Sequence, residues 1–194
     1  MKTSAIFLLV GSVNALIFPG SNSATRSRLK DDLLKICADS KRGTTATTEQ
    51  QLEISKLFNN LEKLNPTKKP LRSPEVNGVW SLEYSTSDSI IGRGGFPRIG
   101  PILQTIDTTT LSAENSETVS YFGLKVPRKV TAELDVQTDK LTNVQFKKFS
   151  IGPLDFAAPK SFRGFLDVTY LDNDLRLTRG DKGNIFVLTR YNSK

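Results

Sequence analysis

The residue types that carry most protein chemistry are nearly missing from this chain of 194 residues, which holds no histidine and one cysteine, Cys37. Without histidine no Ser-His-Asp or Cys-His relay can form, and neither can a zinc site of the His and Cys kind. A lone cysteine also excludes a disulfide framework. Cys37 sits in a helical run with Leu33, Leu34 and Ile36, which reads as a small core side chain rather than a reactive thiol. Carboxylate-only chemistry remains, and the places to seek it are few. Gly92, Gly94 and Gly95 suggest a phosphate loop, but neither Lys-Ser/Thr nor a helix follows them. Asp172, Asn173 and Asp174 hint at a calcium loop, yet Leu175-Arg176 breaks the oxygen spacing, so a turn is the better reading. Arg179-Gly180-Asp181 spells an adhesion tripeptide, and three letters carry no weight alone. The sequence therefore predicts no catalytic residue, no metal, no cofactor and no enzyme.

The elements that hold these residues follow from periodicity. From Asn77 the period is two. Trp80, Leu82 and Tyr84 share one face of a first strand, and Pro101–Thr109 and Glu117–Phe122 supply two more. Val130, Ala132, Leu134 and Val136 alternate within Lys129–Val136. Leu141–Ile151 shows Val144 and Phe146, then Phe149 and Ile151, a slip that predicts a bulge at Lys147-Lys148. Phe162–Leu171 places Gly164, Leu166, Val168 and Tyr170 on one face. Asp172-Asn173 and Gly180-Asp181-Lys182-Gly183 read as hairpin turns around Leu175–Thr178, and Ile185–Leu188 is apolar on both faces, so covered on both sides. About eight strands with turns between neighbours predict a mainly β fold, an up-and-down antiparallel barrel or a sandwich. Ser85–Arg98, between the first two strands, is expected to form a lid over the mouth.

Before these strands the pattern is helical. Leu29, Leu33, Ile36 and Cys37 mark a helix over 27–42 that stops at Gly43. Thr48 and Gln51 fit a capping box for a second, with Leu52, Leu57, Phe58, Leu61 and Leu64 as its stripe. These helices form an N-terminal appendage over 31–65. Three prolines with Lys68, Lys69 and Arg72 then predict a stiff, solvated linker over 66–76, and the β domain spans 77–194.

The first residues read as an address. Lys2, the apolar Ile6–Val10 and the small-x-small site Val13-Asn14-Ala15 form a secretory signal peptide over 1–15. Residues 16–30 are rich in Ser and Arg without acids before Asp31, as transit peptides are. The two in tandem resemble the bipartite presequence of algae with complex plastids and predict plastid import, with secretion as the alternative. Of the net charge of +7, residues 77–194 carry only 15 basic against 13 acidic groups. That near-neutrality argues against nucleic acid as a partner.

Thr169–Leu188 closely resembles the C-terminal signature of the plastid lipid-associated proteins, the fibrillin or PAP family. Leu33-Leu34-x-Ile36, Arg42-Gly43, Ile54, Leu61-Glu62, Asn65-Pro66-Thr67, Asn77-Gly78-x-Trp80, Thr86-Ser87 and Gln104-x-Ile106-Asp107 fall in the family's order. Gly78-Val79-Trp80 also resembles the opening of lipocalins, where the Trp plugs the closed end and a late basic residue packs on it. Arg190 is the candidate for that residue and Arg179 the runner-up. The resemblance implies an eight-stranded lipocalin-like barrel with two N-terminal helices, at plastoglobules or thylakoids. It also implies binding of prenylquinones, carotenoids or fatty acids and no catalytic residues. Tyr84, Leu134, Val144, Phe146, Leu166 and Tyr170 are the candidate lining, or equally a closed core. Asp172, Asp174, Arg176, Arg179 and Asp181 are expected to clamp the two last hairpins by charge pairs at one rim. Two rival roles remain: a lipid-particle coat or scaffold for prenyl-lipid synthesis without an internal ligand, and a carboxylate-based enzyme.

Overall fold

The computed structural model describes residues 19–192; the expected signal peptide, and residues 16–18, lie outside the described residues. Nine strands follow two helices: β1 Gly78–Ser85, β2 Arg98–Asp107, β3 Ser112–Tyr121, β4 Leu124–Val136, β5 Leu141–Ile151, β6 Leu154–Ala157, β7 Arg163–Leu171, β8 Leu175–Gly180 and β9 Ile185–Arg190. All pairings are antiparallel. The ring runs β1-β2-β3-β4-β5-β7-β8-β9 and closes from β9 to β1, with β4 joined to β5. One continuous ring excludes the sandwich and leaves no open edge in the wall. The four-residue β6 was not expected; it folds back on the upper end of β5 and widens the rim there.

Three of the ring strands carry one extra residue. In β5 it is Lys147, since Thr131 opposes Lys148 and Ala132 opposes Phe146. In β1 it is Glu83, between the pairs Leu82–Leu188 and Tyr84–Val187. In β7 it is Thr169, between Val168–Thr178 and Tyr170–Leu177. Each extra residue turns the rest of its strand inside out, because side chains alternate with period two.

Helix α1 spans Pro19–Asp39, longer at its start and shorter at its end than expected. A tight turn at Lys41–Gly43 ends it, with Arg42 at φ 62°. Helix α2 covers Thr48–Lys63. Its capping box is Thr47 with Gln50, one residue earlier than expected, because the doubled Thr and Gln offer both registers. Its buried stripe is Ile54, Leu57, Phe58 and Leu61, at the i, i+3, i+4, i+7 spacing of one face. Leu52 lies off that face and is 68% exposed, which corrects its place in the stripe.

Two cores result. One fills the barrel, with Trp80, Leu82, Ile102, Ile106, Ala132, Leu134, Val144, Val168, Leu171 and Leu188 among its members. The second lies outside the wall, where Leu33, Cys37, Ile54, Phe58 and Leu61 of the helices meet Tyr84, Tyr170, Leu175, Leu177, Ile185 and Val187. So β9 is covered on both faces, Ile185 and Val187 by the helices and Phe186 and Leu188 by the interior. Gly43 sits at the joint between helices and barrel at φ 97°; a Cβ there would meet the Ser85 carbonyl at 2.7 Å. Residues 66–76 are not solvated throughout. They make two short 3₁₀ turns, and Leu71 and Val76 enter the barrel core.

Candidate ligand-binding cup

The barrel has one sealed end. Leu71, Val76 and Trp80 converge there, and the indole Nε1 donates to the Val76 carbonyl at 2.9 Å. Arg190 lies over the indole with its guanidinium carbon 3.9 Å from the ring centroid. It donates to the carbonyls of Asn77, Glu75 and Asn173, so one side chain ties three segments across the floor. Gly78 is at φ 112°, and a Cβ on it would come within 2.9 Å of Arg190 Nη1. The Gly of Gly-x-Trp thus makes room for the arginine that stacks on the Trp. Arg179, the runner-up, is elsewhere, over Phe58 at 5.1 Å.

A second arginine reaches the same indole from inside. Arg176 occupies an inward position of β8, 1% exposed, with its guanidinium carbon 5.0 Å from the Trp80 centroid. Its Nη2 donates to Gln104 Oε1, and Gln104 Nε2 passes the chain to Asn115 Oδ1 at 2.9 Å. Burial, and then the charge of Arg190, pull its pKa down to about 9. Its Nε and Nη1, and the neighbouring Thr178 Oγ1, have no hydrogen-bond partner among the described residues.

The wall opens at the other end. Leu134 and Val144 are core members, and Phe146, Leu166 and Phe186 are packed against them but only partly buried. Higher up, Val130 pairs with Phe149, Phe149 with Phe156, and Ile151 with Leu154. Directly paired residues share a face. The apolar lining therefore continues past the ring as a lip, where Leu154 is 59% and Phe156 50% exposed. Phe122, at the β3–β4 turn, is 95% exposed, and Phe96 packs on Tyr121 with centroids 4.5 Å apart. Arg98, Glu117 and Arg128 form an ion cluster at the neck, with Arg98 Nε donating to Glu117 at 2.8 Å. The loop above the neck holds a short helix, α3 Asp88–Ile91, whose Ile91 is seated in the barrel core. A half-open groove of about 530 Å³ lies outside the floor, lined by Leu71, Asn77, Thr108 and Leu111.

Of the six candidate lining residues, Leu134 and Val144 belong to the core inside the barrel, and Phe146 and Leu166 are packed against it, partly buried. Tyr84 and Tyr170 do not. Each follows a bulge, at Glu83 and Thr169, and faces the helices instead. Tyr170 donates its hydroxyl to Asp172 at 2.7 Å, and burial, then that carboxylate, raises its pKa.

The charged residues of the last hairpins do not clamp them to each other. Asp172 and Asp174 receive Lys30 of α1, at 2.9 and 3.4 Å. Arg179 makes two 2.8 Å bonds to Glu62 of α2. These pairs hold the helices on the barrel. Asp172 also caps a three-residue turn, its Oδ1 accepting from the N–H groups of Asp174 and Leu175. Burial opposes its charge, but Lys30, the Tyr170 hydroxyl and those N–H groups win, and its pKa is lowered. Asp181 only starts the β8–β9 turn, its carbonyl accepting from Asn184, and Arg176 is inside. Cys37 is buried, and desolvation, then Glu83, pushes its thiol to about 12.

Sequence reasoning missed Asn65. Its side chain donates to the carbonyls of Thr67 and Thr169 and accepts from the N–H groups of Thr67 and Leu171. It thereby satisfies the backbone that the β7 bulge frees from the ladder. The cue is the Asn65-Pro66-Thr67 order, which the family resemblance includes without giving the asparagine a role.

The PAP_fibrillin family profile matches residues 27–189. The probable plastid-lipid-associated protein 5, chloroplastic, of Arabidopsis thaliana is 34% identical over 180 residues, covering 90% of this chain and 75% of that protein. Plastoglobulin-1, chloroplastic, of Pisum sativum is 28% identical over 220 residues, covering 85% of this chain and 61% of its own length. A bovine odorant-binding protein in complex with undecanal aligns with 67% of this chain and 77% of its own, at TM-score 0.37 and 13% identity, a likeness too distant to bear on function. The profile match takes in most of α1, all of α2 and all but the last residue of the barrel wall, and on that ground the chain belongs to the PAP/fibrillin family of plastid lipid-associated proteins.

Proposed function

We propose that this chain is a plastid lipid-binding protein that holds a hydrophobic small molecule of the prenylquinone, carotenoid or fatty-acid type in the barrel cup. The role is that of a carrier or structural component at plastoglobules or thylakoids, without catalysis. The supporting observation is the exposed apolar lip, continuous with the inner wall through Phe149, Ile151, Leu154 and Phe156. An apolar surface that passes from solvent into a barrel is what a hydrophobic ligand needs in order to enter. Native mass spectrometry of protein from its own plastids, with a lipid-extracted control, tests this. Retained lipid that re-titrates after extraction is expected; a barrel that neither retains nor takes up lipid would refute it.

The coat reading has its own support. Residues 117–129 and 146–165, which build the lip, hold seven basic side chains against Glu117 and Asp155. An apolar tip with a basic surround suits an anionic lipid surface. Surface contact by the lip is compatible with a filled barrel; the coat reading differs in having no internal ligand. Plastid delivery by residues 1–30 is tested by fusing them to a reporter; signal in the culture medium would overturn it.

A further inference from the structure

Arg176 is a buried cation without a counter-charge. No carboxylate lies within ion-pair distance of it among the described residues, and the charged group that acts on it is another cation, Arg190. Every other arginine inside the cup has an acid: Arg98 and Arg128 share Glu117 at the neck. A guanidinium has five N–H donors and no means of shedding its charge at ordinary pH. Only Nη2 of Arg176 is seen to donate, to Gln104; Nε and Nη1 are buried and unpartnered, and Nη2, which flanks both, has a second N–H that can join one of them in gripping a carboxylate by two parallel bonds. Thr178 Oγ1, the next inward side chain on β8 and 2% exposed, is unpartnered as well. A neutral carbonyl would fill a hydrogen bond but leave the charge uncompensated, and an isolated buried charge is the costly case.

We propose that Arg176 is the head-group receptor of the cup, and that its ligand class is a single-chain amphiphile with a carboxylate head, of the long-chain fatty-acid kind. The proposal rests on the reading of the barrel as a lipid cup and narrows it. The carboxylate lies against Arg176 beside Trp80, taking Nη2 together with one of the two unpartnered nitrogens, with Thr178 as a further donor. The chain runs up the wall past Val144, Phe146, Leu166 and Phe186. From Arg176 to Gly180 the strand climbs only ~13 Å at ~3.3 Å per residue. A long acyl tail therefore emerges among the lip side chains.

Trp80 is the only tryptophan and touches Arg176, so its fluorescence reports on the site directly. The lipid-extracted full chain is titrated below micelle formation with oleate, with methyl oleate and with a short-chain plastoquinone. Oleate is expected to perturb Trp80 and to bind tighter than methyl oleate by about tenfold or more, the worth of a charge-assisted pair. Arg176→Met, checked for native circular dichroism, is expected to level the two. Equal affinity of oleate and methyl oleate for the unmodified chain, or binding of the quinone alone, overturns the proposal and leaves the lipid cup standing. Binding of none of the three, which leaves the unpartnered donors to buried water, overturns both. The comparison of acid with ester needs no variant, so it decides even if Arg176→Met fails to fold.

Discussion

Trp80 is held by more than apolar contact. Two guanidiniums lie on its ring, and one of them, Arg190, sews the floor to β7–β8 and β1. A cation over an indole is worth ~0.5–2 kcal/mol depending on exposure. Gly78→Ala places a methyl in the path of Arg190 at a backbone angle that disfavours any side chain. That variant is expected to lower the thermal midpoint while Gly94→Ala, with open space around it, disturbs no packing and shows only the smaller backbone cost. Asn65→Ala removes four hydrogen bonds at a bulge and takes a donor from two partly buried carbonyls. A loss of ~1–3 kcal/mol in denaturant unfolding is expected, and Asn65→Asp, which keeps the acceptor and loses the donors, recovers only part of it. Arg176 was unreadable from sequence for a simple reason. Arginine is almost never fully buried, so a strand reading Leu-Arg-Leu-Thr points its arginine at solvent by default. Here helices cover the Leu face, and the arginine takes the interior.

At the scale of elements, alternation placed the strands well and their faces less well. The β5 bulge was legible because it changes the phase of aromatic residues, from Phe146 to Phe149. The bulges at Glu83 and Thr169 were not. Both sides of β1 and β7 are buried near these points, so an apolar residue suits either phase and no slip appears in the pattern. Tyr84 and Tyr170 were misplaced by that degeneracy. The helices were legible as amphipathic, but their partner was not, since a stripe names no surface to cover. The structure answers with the outer faces of β7, β8 and β9, tied by Lys30–Asp172 and Arg179–Glu62. Asp172 makes this docking pH-dependent. Its folded pKa lies below its unfolded value of about 3.9. Its contribution is therefore complete above the unfolded pKa and lost as pH falls through the folded one. Asp172→Asn is expected to be less stable than the parent at pH 7, and the gap between their melting curves should shrink on acidification below pH 4. A gap that persists at pH 2 would place the effect in packing rather than charge.

The whole molecule is a closed barrel with a sealed floor, a helical jacket on one side and an apolar lip. Family membership and the closed ring were foreseeable from sequence; the lip was not, because it depends on β6 and on cross-strand pairing beyond the ring. Phe122→Ser with Leu124→Ser strips exposed side chains from its tip. This pair is expected to weaken sedimentation with anionic vesicles by about tenfold or more, at the ~1.5–3 kcal/mol scale of a large apolar side chain, with the melting temperature unchanged. Persistence of full binding would shift the contact to the helices. The central claim, that lipid enters the barrel, is tested most directly by amide relaxation with a lipid spin-labelled at its tail end. Strong broadening at Phe146, Leu166, Phe186 and the β5–β6 lip, weak on the outer face of α1 and α2, is the result predicted. Broadening confined to the outer surfaces, with the inner wall untouched at saturation, would contradict it.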